Sequence, residues 1–244
     1  MHRWHALTAC IDGIIAAMTL PTPQPPRPRR FDLIAFDWDG TLFDSTALIV
    51  SCIQGACADL SLPVPDAQRA AYVIGLGLHD ALQHAVPGLD KARYPELGKR
   101  YRHHYLARQH ELVLFPGTLE MLRALKARNL LIAVATGKSR KGLDEALHGT
   151  QLQGLFDATR TADETADKPH PLMLQELMGE LGVAPGRTLM VGDTTHDLQL
   201  AINAGVARIG VSFGAHDPAA FAALSPLTVA NSTAELAQWL ALQA

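Results

Sequence analysis

The 244-residue sequence contains few cysteines: Cys10, Cys52 and Cys57, with no pair separated by two residues. An odd number of cysteines without a C-x-x-C pair argues against a disulfide framework and against a structural zinc site. The cysteine content therefore favours a reducing compartment, and we expect a cytoplasmic protein.

The sequence also lacks an excess of positive charge and a long apolar run. It has 21 lysines and arginines against 24 aspartates and glutamates, a formal net charge of −3. Such a balance leaves no surplus cations to neutralise a nucleic-acid backbone. The apolar stretch 7–20 is interrupted by Asp12 and Gly13 and is too short to span a bilayer. Neither nucleic acid nor a membrane is therefore expected as a partner.

What the sequence does have is enough apolar residues for a sizeable core. Hydrophobic residues make up 48% of the chain and charged residues 18%, which is typical of a globular protein. The first thirty residues differ, because they end in the proline-rich stretch PTPQPPRPRR. We interpret residues 1–30 as a disordered or targeting-like extension and leave them out of the fold prediction.

From Phe31 onward, short apolar runs alternate with helical patterns. The apolar runs are residues 31–36, 130–135, 188–191, 206–211 and 227–229, and the helical patterns are residues 118–128, 171–181 and a last helix that opens with the capping box Ser232–Glu235. Continuous apolar runs of this length favour parallel strands that are covered on both faces. The alternation predicts an α/β fold with a doubly wound, Rossmann-like parallel sheet.

One interval does not fit this alternation. Residues 46–114 contain helical stretches broken at residues 62–65, 75–77 and 86–88, with no convincing strand. A crossover between parallel strands needs a single helix, so this interval is too long to be one. We predict a small helical domain at 46–114, inserted into a core made of residues 31–45 and 115–244.

Polar side chains follow the apolar runs, where an open α/β sheet binds its ligands. They are Asp37, Asp39, Thr136, Asp193 and Asp197, and Lys168 joins them from a loop, where it precedes Pro169. Crowded carboxylates repel one another unless a cation neutralises them, and oxygen ligands suit Mg²⁺. A magnesium ion with a lysine and a hydroxyl is a set that holds a phosphoryl group. The residues alone therefore indicate phosphate-ester hydrolysis.

These residues also resemble the motifs of the haloacid dehalogenase-like superfamily, most closely its phosphoglycolate phosphatase-like branch. Residues 37–45, DWDGTLFDS, are similar to the first motif, and Thr136-Gly137 to the second. Lys168 before a proline resembles the third, and residues 192–197, GDTTHD, resemble the fourth. The resemblance extends from about residue 31 to the C-terminus, and the helical insertion lies where this branch has its cap domain.

The resemblance implies a role for each acid. Asp37 would be the nucleophile that forms an aspartyl-phosphate, and Asp39 the general acid and then the general base. Mg²⁺ would be held by Asp37, Asp193 and the backbone carbonyl of Asp39. Asp197 would lie behind these ligands or reach the ion through water. The presence of Asp39 favours phosphate chemistry over carbon–halogen cleavage, because the dehalogenases lack this acid.

The resemblance also implies which residues bind the phosphoryl group and what the substrate is. Thr136, Lys168 and the backbone N–H of Gly137 would contact the phosphoryl oxygens. The expected protein is a Mg²⁺-dependent phosphatase of a small phosphate monoester, with 2-phosphoglycolate as a candidate. His79 and His84 of the insertion stay open as substrate contacts, and the oligomeric state is also open.

Three alternatives remain at this stage. A phosphomutase similar to β-phosphoglucomutase would share every core residue and differ in how well the closed cap excludes water. A phospho-acceptor domain similar to response-regulator receivers is disfavoured by the insertion and by Asp39. A binding protein without activity is disfavoured because the chemical set is complete.

Overall fold

The computed structural model describes residues 29–148 and 151–244, so most of the N-terminal extension expected at 1–30 lies outside the described residues. In chain order the strands are β1 (Leu33–Phe36), β2 (Phe43–Asp44), β3 (Val113–Leu114), β4 (Leu131–Thr136), β5 (Ala158–Thr161), β6 (Thr188–Gly192), β7 (Ala207–Val211) and β8 (Val229–Ala230). The helices are α1 (Thr46–Asp59), α2 (Ala67–Tyr72), α3 (Leu78–Ala85), α4 (Tyr94–Arg108), α5 (Thr118–Ala127), α6 (Arg140–His148), α7 (Leu172–Leu181), α8 (Thr195–Ala204) and α9 (Thr233–Gln243).

Six strands form one parallel sheet in the order β5-β4-β1-β6-β7-β8. Strand β1 lies between β4 and β6, with Leu33 opposite both Leu131 and Thr188. The order runs outward from β1 in both directions, as in a doubly wound sheet. The predicted α/β Rossmann-like core is therefore confirmed.

Strand β1 shows why this sequence forms a central strand. All four of its residues are buried, and alternate residues belong to two different apolar clusters. Ile34 and Phe36 pack with the helices on one face, whereas Leu33 and Ala35 pack on the other. Side chains of a strand point alternately to the two faces, so a continuous apolar run satisfies both.

The structure corrects several details of the sequence prediction. Strand β5, residues 158–161, was not predicted, and Val113–Leu114 at the end of the interval 46–114 is a strand. The capping box predicted at Ser232 forms only in part. The Ser232 hydroxyl accepts from the Glu235 N–H, but the Glu235 carboxylate accepts from the N–H of Asn231 instead of Ser232.

Helices α1 to α4 form a helical insertion, defined here as residues 46–112. Its two ends meet because β2 and β3 pair antiparallel, with Phe43 opposite Leu114. The insertion has its own cluster of buried apolar side chains, which includes Ile53, Leu82 and Leu97. Across the described parts of the chain, no helix combines the length and apolar character needed to cross a membrane.

Candidate active site

Three neighbouring strands of the sheet carry polar residues at their carboxyl ends. Asp37 follows β1, Thr136 ends β4 and Asp193 follows β6. Because β1 is paired with both β4 and β6, these residues are neighbours in space. All three side chains are buried. The structure thus brings together residues that are up to 156 positions apart in the sequence.

Lys168 lies at the centre of this group. Its Nζ is 2.5 Å from Asp37 Oδ1 and 2.6 Å from Asp197 Oδ1, and its side chain is fully buried. Burial alone would lower the pKa of Lys168, but the charges of Asp197 and Asp37 outweigh this effect and raise it. Lys168 is therefore a cation that links two buried carboxylates.

The acids of the site are crowded. Carboxylate oxygens of Asp37, Asp193 and Asp197 lie within 4.8 Å of one another. Burial, followed by the nearby charge of Asp197, raises the pKa of Asp193 to about 7. Burial also raises the pKa of Asp37, against the attraction of Lys168. Three buried carboxylates and one lysine leave an excess of negative charge when all are ionised.

The hydrogen bonds of Asp197 distinguish it from the other two acids. Asp197 Oδ1 accepts from Lys168, and Oδ2 accepts from the hydroxyl and the N–H of Thr194 at 2.7 and 3.1 Å. In return, the N–H of Asp197 donates to the Thr194 hydroxyl, which completes a capping box at the start of α8. Asp197 therefore uses both oxygens to orient Lys168 and to begin a helix.

Asp193 is held by two donors and by close backbone packing. Its Oδ1 accepts from the Thr41 hydroxyl at 2.8 Å, and its Oδ2 accepts from the Ala215 N–H at 2.7 Å. Gly40 has a φ of +85°, and a Cβ at that position would lie 2.2 Å from Asp193 Oδ2. Glycine is required there because any side chain would collide with the carboxylate.

The donor set fits a hard divalent cation such as Mg²⁺. Asp37 Oδ2 is buried and has no hydrogen-bond partner within the described residues. A buried carboxylate oxygen without a partner is costly, and a cation would satisfy it. Asp193 lies beside it, and oxygen ligands are those that Mg²⁺ prefers. The acidic cluster can therefore hold a metal ion between Asp37 Oδ2 and the neighbouring Asp193, whose two hydrogen-bond donors are uncharged.

Asp39 lies apart from the three-acid cluster. Its Oδ2 is 3.0 Å from the Nζ of Lys138, and its Oδ1 is buried without a partner among the residues described. Lys138 was not among the sequence-predicted site residues. The available signal was its position directly after Thr136-Gly137, at the end of β4.

Thr136 and Gly137 lie where the helical insertion approaches the sheet. The Thr136 Oγ1 accepts from the N–H of Lys138 at 3.2 Å. A Cβ on Gly137 would lie 2.5 Å from the Leu76 carbonyl oxygen and 2.6 Å from that of Gly75. The loop of the insertion is therefore in contact with the second motif, and glycine at position 137 allows this contact.

A cavity of about 790 Å³ lies between the sheet edge and the helical insertion. The sheet contributes Asp37, Asp39, Thr136 and Lys138 to its lining, and the insertion contributes Ile49, Ile53, Leu76, His79 and Tyr105. Of the two histidines left open by the sequence, His79 lines this cavity. The Nδ1 of His84 lies 2.8 Å from the Asp80 carbonyl of its own helix.

The combination of four motifs at one sheet edge corresponds to a known family. The family model of the haloacid dehalogenase-like hydrolases matches residues 34–211. The chain belongs to this family. The sequence-based identification is therefore confirmed, and with it an enzyme of the phosphoric monoester hydrolase type.

Individual relatives agree with this assignment. The chain is 38% identical over 210 residues to the probable phosphatase IndB of Dickeya dadantii, covering 84% of this chain and 91% of the relative. It is 30% identical to a phosphoglycolate phosphatase of Mannheimia succiniciproducens, covering 76% and 87%. A solved structure of a predicted phosphoglycolate phosphatase from Haemophilus somnus superimposes with a TM-score of 0.78 at 28% identity, covering 86% and 98%.

Proposed function

We propose that the protein is a Mg²⁺-dependent phosphatase that hydrolyses a small phosphate monoester through an aspartyl-phosphate on Asp37. One observation carries this proposal. Lys168 links Asp37 to Asp197, and Asp193 lies beside them in a buried cluster that lacks a second cation among the described residues. A nucleophilic carboxylate, a bound metal ion and a lysine are the groups that phosphoryl transfer requires.

In the first half-reaction, a carboxylate oxygen of Asp37 attacks phosphorus while the bond from phosphorus to the ester oxygen breaks. The ester oxygen leaves as an alcohol after taking the proton of Asp39. In the second, ionised Asp39 takes a proton from water, whose oxygen attacks the same phosphorus. The bond to Asp37 then breaks, which releases inorganic phosphate and restores the Asp37 carboxylate.

The phosphoryl oxygens would be held by the Thr136 hydroxyl, the Gly137 N–H and the Lys168 ammonium. Mg²⁺ would be held by Asp37, Asp193 and the backbone carbonyl of Asp39. When bound, it would supply positive charge that neutralises the acids and the phosphoryl group. Asp197 would orient Lys168 without contacting the substrate, since one of its oxygens is paired with the Lys168 ammonium and the other caps α8.

The helical insertion would act as a cap over the site. Its loop at Gly75 and Leu76 contacts Gly137, next to the phosphoryl-binding hydroxyl. Closure of such an element excludes bulk water during the first half-reaction. A cytoplasmic location, and the expected lack of nucleic-acid and membrane partners, stay predictions.

2-Phosphoglycolate is our first candidate substrate, since one relative is named a phosphoglycolate phosphatase and one solved structure a predicted phosphoglycolate phosphatase. The cavity, at about 790 Å³, lies within the range of roughly 300–1,000 Å³ that is usual for small-molecule sites. Larger esters such as sugar phosphates and nucleoside monophosphates therefore belong in the same substrate panel.

The test is release of inorganic phosphate from this panel, with Mg²⁺ or with EDTA. We expect turnover that requires Mg²⁺ and is abolished in Asp37→Asn. Asp32→Asn is the matched control, because Asp32 precedes the same strand at its opposite end and pairs with Arg187. Activity of Asp37→Asn within about tenfold of wild type would contradict the nucleophile assignment, given the ~10² or larger loss typical of a catalytic group. Rearranged phosphate ester without free phosphate would instead indicate the phosphomutase.

A further inference from the structure

Lys138 connects Asp39 to the helical insertion. Its Nζ is 3.0 Å from Asp39 Oδ2 and donates to the Tyr105 hydroxyl at 2.8 Å. The same Nζ lies 4.8 Å from the centre of the Tyr105 ring, close enough for a cation–π contact. The side chains of Lys138 and Asp39 are only 10% and 12% exposed, so little water competes for this pair.

This contact gives the two oxygens of Asp39 different roles. Oδ2 is held by Lys138, whereas Oδ1 is buried without a partner among the residues described. A carboxyl group that exchanges a proton with the substrate needs one oxygen free and its orientation fixed. Lys138 fixes the orientation of the carboxyl group through Oδ2 and leaves Oδ1 free to exchange a proton.

Tyr105 links the pair formed by Asp39 and Lys138 to the helical insertion. Tyr105 belongs to α4, whereas Asp39 and Lys138 follow β1 and β4 of the sheet. Burial lowers the pKa of Lys138, but the nearby charge of Asp39 and the hydrogen bond to the Tyr105 hydroxyl raise it above its usual value. Lys138 is therefore a fixed cation whose second partner is present when the insertion lies against the sheet.

We propose that Lys138 is a positioning residue for the general acid and base Asp39, and that Tyr105 fixes Lys138 when the helical insertion closes. The proposal rests on the proposed function, because it needs Asp39 to exchange protons with the ester oxygen and with water. The proposal adds that closure of the helical insertion aligns the carboxyl group of Asp39 through Tyr105 and Lys138.

The experiment compares two substrates of nearly the same shape, p-nitrophenyl phosphate and phenyl phosphate. p-Nitrophenolate leaves readily without a proton, whereas phenolate is a poorer leaving group and depends more on general acid catalysis. The readout is the ratio of kcat/KM for p-nitrophenyl phosphate to kcat/KM for phenyl phosphate. A defect in folding alone lowers both values equally and leaves the ratio unchanged.

For Lys138→Met we expect kcat/KM for phenyl phosphate to fall about tenfold and that for p-nitrophenyl phosphate less than about threefold, since misplacing a catalytic group by ~1 Å can cost ~10²-fold. Lys138→Arg, which keeps a cationic donor, should stay closer to the wild-type ratio than Lys138→Met. Tyr105→Phe keeps the ring and loses the hydroxyl, so its ratio should rise by a smaller factor.

Two controls match these changes. Lys126→Met removes a lysine that pairs with Asp157 at 2.6 Å, away from the site. Tyr94→Phe removes a hydroxyl that donates to the Val86 carbonyl inside the insertion. Neither should change the ratio.

Several outcomes overturn the proposal. Equal losses for both substrates in Lys138→Met, or a rise in KM alone, would mean that Lys138 acts on folding or binds the phosphoryl group directly. If Lys138→Met does not fold, an unchanged ratio in Tyr105→Phe overturns it. If Asp39→Asn raises the ratio and Lys138→Met does not, the proposed function survives and the positioning role fails. If wild-type turnover does not depend on Asp37, both proposals fail.

Discussion

The crowded acids predict an unusual pH dependence of stability when divalent ions are removed. Burial and the nearby charge of Asp197 raise the pKa of Asp193 from 3.8 to about 7. A carboxyl group with a raised pKa in the folded state binds its proton more tightly there than in the unfolded chain. Its contribution to the free energy of unfolding is complete below pH 3.8 and is lost as the pH rises through about 7.

The magnitude follows from the size of the shift. One pKa unit corresponds to about 1.36 kcal/mol, so a shift of roughly three units amounts to about 4 kcal/mol in total. Between pH 5 and pH 7.5, we expect a loss of about 2–3 kcal/mol from Asp193. Asp193 is fully buried, so solvent does not reduce this value. Burial lowers the pKa of His196 and His216, so their contribution to stability changes with pH in the opposite direction.

The assay is urea denaturation in EDTA at pH 5 and pH 7.5, for wild type and Asp193→Asn. The histidines contribute to both proteins and cancel in the difference, which reports Asp193 together with the part of the Asp37 shift that Asp193 causes. The loss of unfolding free energy from pH 5 to pH 7.5 should be about 2–3 kcal/mol larger in wild type than in Asp193→Asn. Millimolar Mg²⁺ should remove most of this difference, because the ion binds the ionised acids. An equal pH dependence of the two proteins in EDTA would show that Asp193 does not bind its proton more tightly in the folded state.

Three further predictions concern single residues. Asp39→Asn should slow formation and hydrolysis of the aspartyl-phosphate by ~10²–10⁴-fold in rapid-quench kinetics, and unchanged rates would exclude its acid–base role. Lys168→Met leaves buried carboxylates without their cation and should lower the unfolding free energy at pH 7.5 by about 3–5 kcal/mol in urea titrations; a loss below about 1 kcal/mol, the value of a surface ion pair, would contradict this. Gly137→Ala places a methyl group 2.5 Å from the Leu76 carbonyl oxygen and should lower kcat/KM about tenfold by displacing the loop, whereas wild-type kinetics would show that the contact is not needed.

The central strands were predictable because they are nearly continuous apolar runs. Strands β1, β4 and β6 are apolar on both faces, and a polar residue of the candidate site stands at or directly after the carboxyl end of each. Strand β5 was missed because its sequence, ATRT, is mostly polar. It lies at the edge of the sheet, where Arg160 pairs with Glu176 and Glu180 instead of packing in the core. A mostly polar edge strand such as β5 is therefore not visible in the local apolar content.

The candidate site was predictable to the extent that its residues follow strand ends. The sequence identified Asp37, Thr136, Lys168 and Asp193, and the structure places them at one edge. Lys138 stands two residues after Thr136, but this position alone does not reveal its contact with Asp39. Lys138 contacts side chains 99 and 33 positions away, which the fold alone brings together.

Assigning the acids also required hydrogen bonds that a sequence does not contain. The fourth motif carries Asp193 and Asp197 at positions that look equivalent in an acidic stretch. Each acid has a donor on both oxygens, but the donors differ. Asp197 is paired with the Lys168 ammonium and caps α8, whereas the two donors of Asp193 are uncharged. The resemblance implies the same division, and the roles of the two acids toward the metal stay a prediction.

The most direct measurement is to identify the residue that carries the phosphoryl group during turnover. The protein would be mixed with p-nitrophenyl phosphate and Mg²⁺, quenched in acid within the first turnover, and digested for peptide mass spectrometry. We expect one phosphoryl group on Asp37, which is absent when EDTA replaces Mg²⁺. Turnover with the phosphoryl group on another residue, or with no phosphorylated protein at any time, would contradict this expectation.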